Sequence, residues 1–157
     1  MPDHADKARK LIRDSLYLAL GTADAAGKPW VSPVYYTPHD YTDFYWVSSP
    51  QTRHSRNLAQ RSDVSIAIFD SHAVVGKAEA VYLTATAVQV PEEELESAVA
   101  IYNSRLPELK QFEPQELVLP GLFRLYRATA TEHSVLIRGS DPEYGKGADS
   151  RLAITIR

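Results

Sequence analysis

From Asp3 to Arg13 the apolar residues Ala5, Ala8, Leu11 and Ile12 recur near helical spacing with charges between them, which predicts a short N-terminal helix. The period then tightens. "SLYLALGTADAAGKPWVSPVYYT" holds two β-branched, apolar or aromatic runs separated by a Gly-containing turn, the pattern of a hairpin with strands at about Leu16 to Thr22 and Trp30 to Thr37. After the turn "PHDYTD", "FYWVS" alternates, with Phe44, Trp46 and Ser48 on one face and Tyr45 and Val47 on the other. "VSIAIFD" is nearly all apolar and predicts a central fourth strand, and "EAVYLTATAVQV" predicts a longer fifth one that ends at Pro91.

"PEEELESAVAIYNSRL" predicts a helix entered at Pro91, with Glu92, Glu93 and Glu94 in the first turn, where negative charge complements the macrodipole. Leu95, Val99 and Tyr102 form its apolar stripe. A polar stretch, "PELKQFEPQEL", leads to a sixth strand in "GLFRLYRATATEHSVLI". The turn-rich "GSDPEYGKGADS" follows, and "RLAITIR" allows a closing strand. Several strands joined by short turns, with one helix inserted late, imply a mainly β (α+β) fold: a six-stranded antiparallel, Greek-key-like barrel with peripheral helices. At 157 residues the chain suits one domain, 1–157, without internal repeats.

Hydrophobic content of 44% and charged content of 24% are those of an ordinary globular chain. No apolar run approaches the roughly 20 residues that cross a bilayer, and the charged start lacks a signal peptide's apolar centre, so a cytoplasmic protein without a membrane partner is expected. With no cysteine, disulfides, thiolate metal sites and a Cys nucleophile are excluded. A net charge of −3 argues against a general nucleic-acid binder.

One stretch breaks the acidic balance. From Phe44 to Ser62 there is no carboxylate, while Arg53, His54, Arg56 and Arg61 fall close together. "SSPQTRHSRNLAQR" predicts a helix capped by Ser49 with Pro50 at its first position. Cations at a helix N-terminus oppose its dipole by about 0.3–1 kcal/mol each when exposed. A bound anion resolves the conflict, because free backbone N–H groups, the hydroxyls of Ser48, Ser49 and Thr52, and a guanidinium can converge on phosphate oxygens. The alternative is a solvated polar face whose arginines pair with distant acids.

The ordered series "GKPWVSPVYY", "FYWVSS", "RHSRNLAQRSDVSIAIFD", "EAVYLTATAVQV" and "FRLYRATATEH" resembles the pyridoxamine 5'-phosphate oxidase-like, FMN-binding split-barrel superfamily over roughly residues 10 to 137. The resemblance implies a homodimer with the flavin in a groove at the subunit interface. It assigns Arg53 and His54 to the flavin phosphate with Ser48 beside them, and Asn57 and Arg56 to matching polar positions. His54 stands where the family often has Lys. The ring would rest along Ser32, Pro33, Val34 and Tyr35, with Trp46 and Val47 opposite; Pro33 has no N–H, so neighbouring amides would read the ring edge. The oxidase's C-terminal Arg- and His-containing substrate segment has no match here, and Glu79 and Ala80 stand in the region of its flavin-binding Gln, which points away from pyridoxamine phosphate as substrate.

The resemblance thus implies FMN as cofactor and an oxidoreductase acting on a small organic substrate, with no side chain singled out as a catalytic acid or base. It leaves two alternatives: a flavin-binding or storage module without turnover, and a deazaflavin-dependent reductase. Some relatives bind heme. His4, His39, His54, His72 and His133 lack the spacing of a metal motif, and no G-x-S-x-G announces a hydrolase. Tyr35, Tyr36, Tyr41, Tyr45 and Trp46 suit a core and dimer interface, since strands favour aromatics.

Overall fold

The computed structural model describes residues 3–156. Helix α1 (His4–Asp14) opens with the Asp3 side chain accepting the Asp6 amide at 2.7 Å and buries Ala8 and Ile12. Strands β1 (Tyr17–Ala23) and β2 (Pro29–Tyr35) form the expected hairpin. Its turn is closed by Asp24, whose Oδ1 accepts the amides of Ala26 and Lys28 at 2.9 Å each, and by Gly27 at φ +85°. Strands β3 (Thr37–His39) and β4 (Asp43–Ser48) make a second hairpin. Helix α2 (Arg53–Gln60) leads to β5 (Asp63–Phe69) and β6 (Ala80–Gln89). A 3-10 turn at Glu92–Glu94 precedes α3 (Leu95–Asn103), and two further 3-10 turns, Glu108–Lys110 and Pro114–Leu117, precede β7 (Arg124–Ile137) and β8 (Ser150–Ile154).

All pairings are antiparallel, in the order β2-β1-β5-β6-β7-β4-β3, with β8 on the far half of β7. The sheet curls into a split half-barrel. Alternation in β1, β5 and β6 sends Leu18, Leu20, Val64, Ile66, Ile68, Val81, Leu83, Ala85 and Ala87 inward, and they meet Phe44, Trp46, Tyr126 and Ala128 there. Each large aliphatic side chain buried in this way contributes about 1.5–3 kcal/mol. The other face of β4 carries Tyr45 and Val47 under α3, against Leu95, Val99, Tyr102 and Leu125. The split lies between β2 and β4, and α2 packs into it against β1, β2 and β6.

Eight strands replace the expected six. Thr37, expected as the end of the second strand, instead starts β3, because the chain reverses through Asp40 and Tyr41 at φ 50° and 57° and zips Thr37–His39 onto Asp43–Tyr45. The closing strand forms as β8 over Ser150–Ile154; of the "RLAITIR" run, Arg157 lies outside the described residues. The glutamates after Pro91 occupy the 3-10 turn, and the α-helix begins one residue later. Among the described residues, no helix is long and apolar enough to cross a membrane.

Candidate functional site

The basic helix starts later than its sequence suggests. Ser49 closes a separate turn, its hydroxyl accepting the Gln51 amide at 3.1 Å and its carbonyl accepting the Thr52 amide at 3.2 Å. The N-cap is Thr52, whose Oγ1 accepts the Ser55 amide at 3.3 Å, so Arg53 and His54 become the first two helical residues. No acid stands in this first turn.

The four basic residues then part. Arg53 lies with its guanidinium carbon 4.2 Å from the centroid of the Trp30 ring on β2. His54 is buried, with Nε2 2.8 Å from Ser48 Oγ at the end of β4, and burial pushes its pKa below the ordinary 6.5. It is therefore neutral at pH 7 and brings no charge to the helix start. Arg56 is exposed, and Arg61 sits past the helix C-terminus with Nη2 on the Ala25 carbonyl at 2.8 Å, where the dipole favours a cation. Among the described residues, none of these three arginines has a carboxylate within 4.0 Å. The nearest acid in effect is Asp24, held below the usual carboxylate range first by the Lys28 amide, then by that of Ala26, with a further contribution from Arg53.

The site residues anticipated from sequence divide by strand face. Ser32 and Val34 pair with Leu20 and Leu18 and share the inner face of β2, with Trp30 opposite Thr22 on that same face. Pro33 and Tyr35 point to the outer face, where only their backbone could serve a ligand at the mouth; Tyr35 packs edge-on against Tyr17 and Tyr102. Val47 lies in the layer beneath α3. Trp46 is fully buried, stacked on Tyr126 at 5.9 Å, and its indole N–H is a buried donor without an acceptor. Asn57 turns into the barrel end and donates from Nδ2 to Thr22 Oγ1 at 3.1 Å. At the split, Arg53 thus lies on Trp30, two residues along the same strand face from Ser32, while Ser48 meets His54 in the turn capped by Thr52.

Three contributors escaped sequence reasoning. Trp30 seats Arg53, and strand periodicity alone would have placed it beside Ser32. Tyr126 and Arg124, both buried on β7, follow from register: Trp46 pairs with Tyr126 and Ser48 with Arg124. Burial raises the Tyr126 hydroxyl pKa, against the pull of the nearby Ser55 hydroxyl and of the Arg124 charge. The donor set fits a phosphate monoester: hydroxyls at Ser48 and Thr52, the Arg53 guanidinium, which has no carboxylate partner among the described residues, and the free amides of an eight-residue helix. The outer face of the sheet bears an open groove lined by Gly21, Val31, Ser65, Tyr82 and Arg151, with Arg151 3.6 Å from the Tyr82 ring centroid.

A family model described as pyridoxamine 5'-phosphate oxidase matches residues 5–134. No curated protein matches the chain. Among solved structures, a heme binding protein from Mycobacterium smegmatis is similar at TM-score 0.71 and 21% identity, covering 98% of this chain and 59% of that one. A candidate 5-nitroimidazole antibiotic resistance protein from Bacteroides thetaiotaomicron is similar at TM-score 0.68 and 16% identity, covering 86% and 84%. The heme storage protein HutZ from Vibrio cholerae is similar at TM-score 0.65 and 22% identity, covering 79% and 87%. At these identities the likeness establishes the fold.

Proposed function

The chain belongs to the pyridoxamine 5'-phosphate oxidase family, and on that premise we propose that it binds flavin mononucleotide at the mouth of the split and acts as an oxidoreductase on a small organic substrate. The observation that carries this reading is the seating of Arg53. Its guanidinium is laid on Trp30 at the start of a helix capped by the Thr52 hydroxyl, whose dipole disfavours a cation, and among the described residues it has no carboxylate partner. An anion there would reverse the unfavourable electrostatics.

When bound, the flavin would supply the hydride or electron chemistry. The chain's part is to hold and orient it. Arg53, the amides opening α2, Thr52 and Ser48 would take the phosphate, and neutral His54 would fix the Ser48 hydroxyl. Backbone groups of β2 from Ser32 to Tyr35 would serve the ring. We further propose that the outer sheet face, where Tyr17, Val31 and Phe69 are exposed, meets a second copy of the chain and completes the pocket.

The test is titration of apoprotein with FMN, riboflavin, a deazaflavin and heme, followed by reduction with a reduced nicotinamide. Saturable FMN binding and bleaching of the bound flavin are expected. Binding without bleaching by any nicotinamide would favour a storage role, a preference for deazaflavin would favour the reductase alternative, and binding of heme alone would overturn the proposal.

A further inference from the structure

We infer that Arg124 is a second phosphate-holding residue of this site, acting with Arg53 on a phosphate monoester; the inference rests on reading the mouth of the split as a flavin-phosphate site. In the β4–β7 ladder Ser48 and Arg124 are direct partners, so their side chains leave the sheet on one face. That face is continuous with the first turn of α2. Ser48 Oγ is 2.8 Å from His54 Nε2, and in the same helical turn Ser55 Oγ is 2.7 Å from the Thr52 N-cap hydroxyl. Arg124 thus stands directly across the ladder from a residue that touches the helix start.

Its surroundings leave its charge without a counter-ion. Arg124 is only 8% exposed, yet the partners of its guanidinium are the carbonyls of Gly121 at 2.7 Å and Phe123 at 2.6 Å, both reached by Nη1. Among the described residues no carboxylate lies within 4.0 Å. A cation removed from water and matched only to neutral carbonyls is costly to keep, and the other edge of its fork remains to receive an anion. Charge arithmetic points the same way. A phosphate monoester carries roughly −1.5 to −2 at pH 7, while with His54 neutral and Arg56 turned to solvent, Arg53 is the charged side chain seated across the split at the helix start. Adding Arg124 matches the ligand's charge.

The test compares wild type, Arg124→Gln, Arg124→Lys and, as a control, exposed Arg56→Gln. Dissociation constants for FMN and for riboflavin, which lacks the phosphate, are measured together with the shift of Tm produced by inorganic phosphate. Arg124→Gln is expected to weaken FMN binding about 10- to 100-fold, to leave riboflavin within about twofold, and to remove most of the phosphate-induced rise in Tm. Arg124→Lys, which keeps the charge and loses the fork, should fall between, and it decides the matter if the Gln variant does not fold. Variants that keep the wild-type preference for FMN over riboflavin, with Tm lowered equally with and without phosphate, would overturn the inference and leave Arg124 as a clamp on the Gly121–Phe123 segment. A wild type that shows no preference for FMN over riboflavin would instead overturn the phosphate site itself.

Discussion

Arg53 and Trp30 form one unit across the split: the guanidinium carbon stands 4.2 Å from the indole centroid, joining the first residue of α2 to the inner face of β2. Stacking fixes where the cation sits and thins its water shell, so the residue is pre-arranged for an anion. Arg53→Ala is expected to weaken FMN binding by about 1.5–3 kcal/mol, the range for a charge-assisted contact. Trp30→Ala should cost about 0.5–1 kcal/mol through looser positioning. In the double variant the losses should fall short of their sum, since Trp30 has nothing to position once Arg53 is gone. Isothermal titration of the four proteins gives the coupling, and strict additivity would mean that the two residues act separately.

β1, β5 and β6 were legible as runs of apolar, β-branched or aromatic residues bounded by turn signals, and burial of one face then sorts each run into its two sides. β3 was not, since three residues with Pro38 in the middle carry no period and pair only because Asp40 and Tyr41 turn the chain back. At the site, the residue types of the basic turn were legible and their charge state was not. His54 reads as a cation until burial makes it neutral, and Asn57, which matches a polar position of the family, gives no sign in the sequence of its bond to Thr22 across the barrel end. Arg124 is 76 positions from Ser48 in sequence, and only strand register brings them together.

The His54 ring sets a pH dependence whose sign follows from its burial. Its folded pKa is depressed below the ordinary 6.5, so the unfolded chain binds more protons in that window. The stabilisation tied to the neutral ring is whole above 6.5 and is lost as pH falls from there through the folded value. Chemical denaturation between pH 7.5 and about 5 should show wild type losing stability more steeply than His54→Gln. The carboxylates with lowered pKa, Asp14, Asp24 and Asp141, act only at lower pH, from their ordinary 3.8 downward, and so do not mask it. Parallel slopes in the two proteins would show that His54 titrates as it does unfolded.

Asn57 and Thr22 are both buried, and the Nδ2 to Oγ1 bond between them closes the barrel end beneath α2. Asn57→Ala leaves the Thr22 hydroxyl with only its long 3.4 Å bond to the Trp30 carbonyl and should cost about 1–3 kcal/mol of stability. Adding Thr22→Val removes the under-satisfied group and should recover part of that loss, while FMN affinity stays within about twofold throughout. A large drop in FMN affinity in Asn57→Ala at unchanged stability would return Asn57 to the cofactor site.

The outer face of β1, β2 and β5 exposes Tyr17, Val31 and Phe69 at 61%, 66% and 53%, more apolar surface than a solvated sheet face needs. If a second copy covers it, Val31→Asp places a charge in a desolvated interface. Light scattering should then move from twice the chain mass toward the single chain, with flavin affinity falling in parallel because the pocket is left half built. A wild type that is monomeric at high micromolar concentration would remove this reading of the face.

Arg105, just past α3, ties three elements together with neutral acceptors alone. Nη1 donates to the Tyr36 carbonyl at 3.0 Å, and Nη2 donates to the Arg13 carbonyl at 3.0 Å and to that of Ser15. The same guanidinium lies 5.0 Å from the Tyr36 ring centroid, and the Tyr36 hydroxyl donates to the Ile12 carbonyl at 2.6 Å. Lysine keeps the charge, but its single ammonium cannot span carbonyls at the end of α1, at its exit and between β2 and β3 from one plane. Arg105→Lys is therefore expected to destabilise by about 1.5–3 kcal/mol, nearly as much as Arg105→Ala. Hydrogen exchange should show the loss concentrated in α1 and the Tyr36 amide. If lysine restores wild-type stability, charge rather than the planar fork holds this corner, and the packing of α1 depends on something else.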